Sequence, residues 1–352
     1  MRIDNISDDF APAGSRLKKL VGLGLFNICN SFPAAKPYLR RWGLRTQQEW
    51  FPDAIVRVQM PGGKSFQLAS LPHNYLSFEL FWRGTVYYEP VTTLVACELA
   101  RSANTFIDVG ANIGFYSLVL STYKPGLRVV SFEPNPKNFQ LLHANVQLNQ
   151  FSNVTCEPLA LSDMSGTGAL FLSASDMSAS LERDFEASRG PVLKVSTATL
   201  DGYLAQRPVS GPVLIKVDVE GHEAAFFKGA RQTISSLKPD IISEVTLRPD
   251  SVPLPFLREL GYRFYQITDQ GLLPTNELAM VIRGRFRFLN CLLSARPATE
   301  IAELFKSIEP QVRRIDLTQT SKLVPAEVLQ RFQDSAPRPP EQSPAESLEP
   351  VS

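Results

Sequence analysis

Thr105-Phe-Ile-Asp-Val-Gly-Ala-Asn-Ile-Gly-Phe-Tyr-Ser117 reads as a buried strand, a tight turn and the opening of a helix. Phe106 to Val109 is a short apolar run, and Gly110 interrupts it so that a helix can begin around Ile113. A junction of this kind is expected to present unpaired backbone N–H groups. Glycines at 110 and 114 remove the Cβ atoms that would hold a ligand away from the backbone. Asn112 tolerates the left-handed conformation, so a third glycine is not needed.

The ligand follows from what surrounds the turn. A dinucleotide fingerprint is G-x-G-x-x-G, with the helix start aimed at a pyrophosphate. Here the glycines fall as G-x-x-x-G, and Asp108 stands where its charge would repel a phosphate. An acid-flanked turn suits a ligand with an amino group and a sulfonium. Further on, Val129-Val-Ser-Phe-Glu-Pro134 is a strand ending in a carboxylate, 25 positions beyond Asp108. An acid about 20 residues on accepts hydrogen bonds from the hydroxyls of a nucleoside ribose. Together the two elements read as a site for S-adenosylmethionine, with Glu133 on the ribose.

The chain of 352 residues is 44% hydrophobic and can bury a sizeable core, with one to three domains as the prior. A net charge of +1 argues against a general nucleic-acid binder, which needs a clustered basic excess. Cys29, Cys97, Cys156 and Cys291 are far apart and form no C-x-x-C pair, so they read as reduced thiols of a cytoplasmic protein. Three histidines, His73, His143 and His222, offer no metal cage, and no metal site is assigned. The first twelve residues do not read as a secretory signal. The apolar run Leu20 to Cys29 is short of the ~20 residues needed to cross a bilayer. Basic residues flank it, so the run suits either a peripheral membrane contact or a helix covering the edge of the main domain. The helix is the plainer reading.

In order along the chain, residues 1–85 are expected to form a helical and β-hairpin extension, with the hairpin at Ile55 to Leu68. Residues 86–290 form the main domain. There, the strands Phe106–Val109, Arg128–Phe132 and Val154–Pro158 alternate with helices at Ile113–Tyr123 and Pro136–Asn149. Alternation of this kind gives an α/β fold with a mostly parallel sheet and helices on both faces, its ligands at the carboxyl ends of the strands. Val192–Thr197 reads as an edge strand, Val213–Val217 and Ile241–Val245 as core strands, and Ala224–Leu237 as one helix. Gly261–Ile267 and Leu278–Ile282 read as a closing pair. Ser173 to Arg189 is polar and reads as an insertion near the mouth of the site. Residues 291–335 are expected to be a helical extension and 336–352, rich in Pro, Glu and Ser, a disordered tail. Tyr88 and Glu89, before the helix at Val91, are secondary candidates for the cofactor pocket.

The densest chemistry is Lys216-Val-Asp-Val-Glu-Gly-His-Glu223, three carboxylates, a lysine and a histidine at the end of a buried strand. Burying charge costs several kcal/mol unless it is paired. Lys216 shares a strand face with Asp218 and can neutralise part of that charge. A structural ion pair at a helix start is the plain alternative.

With these residues in view the chain resembles the FkbM family of S-adenosylmethionine-dependent methyltransferases. The resemblance covers about residues 85 to 285 and rests on Asp108-Val-Gly-Ala-Asn-Ile-Gly-Phe-Tyr-Ser117, Phe132-Glu-Pro-Asn135, Ala160-Leu-Ser-Asp163 and Lys216-Val-Asp-Val-Glu-Gly-His-Glu223. It implies a class I, Rossmann-like, seven-stranded methyltransferase fold and O-methylation of a hydroxyl on a sugar, glycan, glycolipid or polyketide-like small molecule. It further implies that Asp108, Gly110 and Asn112 hold the methionine part of the cofactor and Glu133, helped by Asn135, its ribose, with Ala111 and Gly114 also counted as cofactor-binding. Ser162 and Asp163 fall near the adenine edge. Asp218 and Glu220 face the reacting methyl, and Lys216 and His222 are further catalytic candidates, with Asp218 the first choice of base and His222 the second; Glu244 is a candidate on the acceptor side. A divalent ion held by these carboxylates is an alternative to a base. A nicotinamide-dependent oxidoreductase is disfavoured by the displaced glycines and Asp108. A non-catalytic cofactor-binding protein is the remaining alternative.

Overall fold

The computed structural model describes residues 13–31, 35, 38–39, 54–70, 75–85, 88–172, 179–182, 190–246, 252–268, 271–275 and 288–315. Helix α1 (Ala13–Ser31) precedes a two-stranded ribbon, β1 (Ala54–Gln59) and β2 (Ser65–Ser70), and two helices, α2 (Tyr75–Arg83) and α3 (Pro90–Ser102). Then come β3 (Thr105–Val109), α4 (Phe115–Tyr123), β4 (Arg128–Phe132), α5 (Pro136–Leu148) and β5 (Val154–Glu157). A second group follows: β6 (Ala160–Leu161), β7 (Gly166–Leu172), β8 (Ala179–Ser180), β9 (Val192–Ala198) and α6 (Leu200–Gln206). The chain continues through β10 (Val213–Val217), α7 (Glu223–Gly229), α8 (Arg231–Leu237), β11 (Asp240–Thr246) and α9 (Leu254–Glu259). Last are β12 (Arg263–Thr268), β13 (Gly271–Thr275), β14 (Phe288–Ser294) and α10 (Ala298–Val312).

The main sheet runs β13-β12-β14-β11-β10-β3-β4-β5. The block from β5 to β11 is parallel, and β14 enters antiparallel between β11 and β12. A parallel sheet whose last strand is inserted, reversed, between the fifth and sixth is the class I methyltransferase order. Here an eighth strand, β13, is added at the outer edge. Both faces are covered, which is why β3 and β10 are buried at every position and read as continuous apolar runs. Phe106, Leu214 and Ile242 face a core shared with α2 to α4 and α10; Ile107, Ile215 and Ile241 face α6 to α9.

Several elements differ from their sequence expectations. Phe288–Ser294 was divided between the main domain and the C-terminal extension, yet it is an inner strand of the sheet. Val192–Ala198 is not an edge: it is flanked by β6 and β7 in a separate four-stranded sheet, β6-β9-β7-β8. The helix expected over Ala224–Leu237 is two, broken at Ala230, whose backbone (φ −110°, ψ 10°) leaves the helical range. Leu278–Ile282, residues 316–335 of the helical extension, the tail 336–352 and most of the Ser173–Arg189 insertion lie outside the described residues.

The ribbon is fastened to the main domain by two amides on one face of α5. Asn145 Oδ1 accepts from Ala69 N and its Nδ2 donates to Ile113 O, while Asn149 accepts from Gln67 N and donates to Gln67 O at 2.7 Å each. Val56, Val58, Phe66 and Leu68 turn inward beneath it.

Candidate active site

The carboxyl ends of β3, β4 and β10 meet at one cleft, whose walls include Asp108, Gly110, Ala111, Asn112, Glu133 and Asp218. The turn after β3 is tighter than its sequence suggests. Gly110 (φ 79°) is required because a Cβ there would stand 1.9 Å from the Asp218 carbonyl oxygen, so the close approach is by the protein's own backbone, not a ligand. Asp218 N donates to Val109 O at 2.9 Å, holding the two strand ends together. Asn112 (φ 51°) takes the left-handed conformation foreseen for it. Gly114 does not line the cleft; a Cβ at that position would meet Leu142 Cδ1 at 2.7 Å, which makes its smallness a packing requirement.

Four backbone N–H groups of this turn are already used. Gly110 and Ala111 both donate to Phe132 O (3.0 and 2.9 Å), Gly114 donates to Ala111 O (2.8 Å), and Asn112 donates to Glu133 Oε2 (2.7 Å). That corrects the expectation of unpaired donors at these four positions, which are not available to a pyrophosphate. The surrounding groups are hydrogen-bond acceptors instead. Glu133 takes one backbone N–H on each oxygen, the second from Asn135 at 2.8 Å, and each oxygen keeps a lone pair for a hydroxyl. Burial pushes its carboxyl up to about 7, the two backbone donors pulling the other way. This set of acceptors therefore fits S-adenosylmethionine, whose ribose hydroxyls and ammonium all donate. Leu159, Ala160 and Leu161 give the cleft an apolar wall for a purine.

Asp108 is buried and accepts from Ser117 N (3.1 Å) and Ser117 Oγ (2.5 Å), and Ser117 Oγ is 2.6 Å from Ser131 Oγ. Burial lifts its carboxyl to about 6 against those bonds. Asp108 thus fixes the start of α4 as well as bordering the cleft. Asn135 caps α5, accepting from Lys137 N at 3.1 Å, and reaches the site through its donation to Glu133. Ser162 and Asp163 do not line the cleft: Ser162 turns to His222, and Asp163 lies 4.0 Å from Lys228.

At the other end, Lys216 is 1% exposed and its Nζ lies 3.1 Å from Asp218 Oδ2. Burial favours its neutral form, but Asp218, Glu89 and Glu244 together outweigh this and keep it cationic. Asp218, Glu220 and Glu244 bring one carboxylate oxygen each to within 4.8 Å of one another. Burial first, and the charge of Asp218 second, hold the Glu244 carboxyl well above its usual range. Glu220 is left-handed (φ 52°), as is Glu89 (φ 42°) at the start of α3; with Asn112 they gather backbone strain around one cleft.

His222 lines the cleft with both ring nitrogens engaged: Nε2 is 2.9 Å from Ser162 Oγ and Nδ1 is 2.9 Å from Glu182 Oε1. Ser180 Oγ donates to Glu220 O at 2.8 Å, so the 179–182 stretch is held against the turn after β10. Glu182 and Tyr116, whose OH donates to Glu89 Oε2 at 2.6 Å, were not foreseen. Only the pairing in space reveals them, although Glu89-Pro90 is a helix start that sequence can show.

The profile of the methyltransferase FkbM domain matches residues 108–264. The chain is similar to the hexuronic acid methyltransferase AglP of Haloferax volcanii, 30% identical over 140 residues, which is 40% of this chain and 55% of that protein. It is also similar to the 31-O-demethyl-FK506 methyltransferase FkbM of Streptomyces tacrolimicus, 24% identical over 221 residues, 55% of this chain and 82% of the other. The matched stretch thus spans about half the length of the first relative and most of the second. Among solved structures, methyltransferase FkbM from Methylobacillus flagellatus KT aligns at 20% identity over 55% of this chain and 43% of that one, with a TM-score of 0.36. The fold is given by the strand order. No helix among the described residues is long and apolar enough to cross a membrane.

Proposed function

We propose that this chain, whose residues 108–264 match the methyltransferase FkbM domain, transfers the methyl group of S-adenosylmethionine to a hydroxyl oxygen of a sugar, glycan, glycolipid or polyketide-like acceptor. The observation that carries this reading is that Phe132 O and Glu133 take the N–H groups of Gly110, Ala111 and Asn112, while the Glu133 carboxylate faces the cleft as an acceptor.

S-adenosylmethionine supplies an activated methyl on a sulfonium. The chain's task is to hold the acceptor oxygen about 3 Å from that carbon on the line of the breaking bond, and to take the hydroxyl proton. Asp218 is the base in this reading. Lys216 fixes one of its oxygens at 3.1 Å, and its side chain stays 28% exposed to the cleft. His222, with both nitrogens engaged, orients the 179–182 stretch instead of acting as a base. Glu133 and Asp108 serve the cofactor side, and Glu220 with Glu244 the acceptor side.

The test is calorimetric titration of the purified full-length chain with S-adenosylhomocysteine and with NAD. Micromolar binding of the first, lost in Glu133→Ala, is expected; binding of the dinucleotide alone would overturn the reading. Cell extract supplied with methyl-labelled S-adenosylmethionine then identifies the acceptor by a single added methyl.

A further inference from the structure

The turn after β10 hangs on one peptide unit. Glu220 (φ 52°) and Gly221 (φ 100°) are both left-handed, and for a glutamate that region is costly. The peptide joining them is held at both ends. Its carbonyl, Glu220 O, accepts from Ser180 Oγ at 2.8 Å, and its amide, Gly221 N, donates to Glu223 Oε1 at 2.9 Å. Both holding side chains are buried, Ser180 at 1% exposed and Glu223 at 0%. The second oxygen of Glu223, Oε2, is buried with no hydrogen-bond partner among the described residues. Such an oxygen disfavours folding, so its retention calls for a purpose.

We propose that Ser180 and Glu223 are positioning residues that lock the Glu220–Gly221 peptide and, through it, set where the Glu220 side chain stands in the cleft relative to Asp218. The proposal rests on the methyltransferase reading, in which Asp218 takes the acceptor proton. Glu220 lines the cleft, and one of its carboxylate oxygens lies within 4.8 Å of one from Asp218. A peptide free to rotate would let Glu220 relax to an ordinary backbone conformation, and its carboxylate would swing away from the base. Displacing a group at a reacting centre by about 1 Å costs on the order of 100-fold in rate. Ser180 is itself held: Glu182 N donates to its Oγ at 3.0 Å, which leaves the hydroxyl proton for Glu220 O. Its chain neighbours Ala179 and Leu181 line the cleft and pack against Ala160 and Leu170. The stretch that walls the purine side of the cleft therefore also grips the acceptor-side peptide.

The test uses the full-length chain and four variants: Ser180→Ala, Glu223→Ala, Glu223→Gln and the pair of alanine changes together. Hydrogen exchange is followed at the Gly221 amide, and turnover as methyl transfer from labelled S-adenosylmethionine into cell extract. Each alanine variant is expected to lose turnover roughly tenfold to 100-fold, with S-adenosylhomocysteine affinity changed by less than about threefold. The Gly221 amide should exchange at least about tenfold faster in both, although Ser180 does not touch that atom. Because the two side chains hold one peptide, the pair should fall no further in turnover than the worse single variant, whereas unrelated injuries would multiply. Glu223→Gln keeps a carbonyl for Gly221 N and should recover turnover to within about threefold of the original chain. An unchanged exchange rate at Gly221 in Ser180→Ala overturns the proposal. So do unaltered turnover in both alanine variants, losses that multiply in the pair, and cofactor affinity that falls as far as turnover. If Glu223→Ala does not fold, Ser180→Ala, which removes a single oxygen, carries the same exchange and turnover tests. A chain that neither binds S-adenosylhomocysteine nor transfers label counts against the methyltransferase reading instead, and the exchange result still judges the lock.

Discussion

Asn112 donates its backbone N–H to Glu133 Oε2 at 2.7 Å, so the turn leaving β3 and the acid ending β4 are one hydrogen-bonded unit. Glu133→Ala removes both the acceptor for the ribose and the partner of Asn112 and Asn135. Affinity for S-adenosylhomocysteine is expected to fall roughly 100-fold, the loss of two charge-assisted bonds. Calorimetry checks it, and a change of less than about threefold would contradict the assignment.

The pH response has a definite sign. Burial raises Asp108 to about 6 and Glu133 and Glu223 each to about 7, whereas in the unfolded chain such groups titrate near 4. Between these values the folded chain holds protons that the unfolded chain has released. Stability present at low pH is therefore lost as pH rises through about 4 to 7, by roughly 3 kcal/mol for Glu133 alone. The ligand-free chain should melt lower at about pH 8 than at about pH 5, and Glu133→Gln should flatten that slope. Affinity for S-adenosylhomocysteine moves the opposite way, tightening as Glu133 ionises to receive the ribose hydroxyls.

Asp218→Asn keeps the shape and the acceptor oxygen but not the basicity. Turnover is expected to drop about 100-fold to 10,000-fold, with cofactor affinity changed little. The variant that loses cofactor binding and turnover together would move Asp218 from acceptor side to cofactor side.

Gly110→Ala places a methyl 1.9 Å from the Asp218 carbonyl oxygen at a residue with φ 79°. Neither partner is a flexible side chain, so the strand ends must separate. A cost of about 3 kcal/mol or more is expected, read as a lower urea midpoint. An unchanged midpoint would mean the two loops are free to part.

The cofactor half of the site was legible because it is local. A five-residue buried strand, a glycine turn and an acid at the next strand end all lie within 29 positions of Thr105, in the order the chain folds them. What sequence hid was long-range pairing. Phe288–Ser294 enters the sheet between β11 and β12 because Glu244 faces Asn290 across an antiparallel ladder, and no local pattern announces that neighbour. The same holds for His222: its place among the acids after β10 made it the second choice of base, but Ser162 and Glu182, 60 and 40 positions away, take both its nitrogens. Gly114 and Gly110 were read as making room for a ligand, whereas each makes room for the protein, for Leu142 and for the Asp218 carbonyl.

Asn145 and Asn149, one helical turn apart, meet alternate residues of β2 as a neighbouring strand would. A two-stranded ribbon otherwise offers its outer backbone to any extended peptide, which is how edge-to-edge association starts. With Gln67 and Ala69 satisfied by side-chain amides, that edge is closed without a third strand. The ribbon is thereby protected along β2 against strand addition from another copy of the chain, and this protection depends on two amides, one in the last turn of α5 and one at its C-cap.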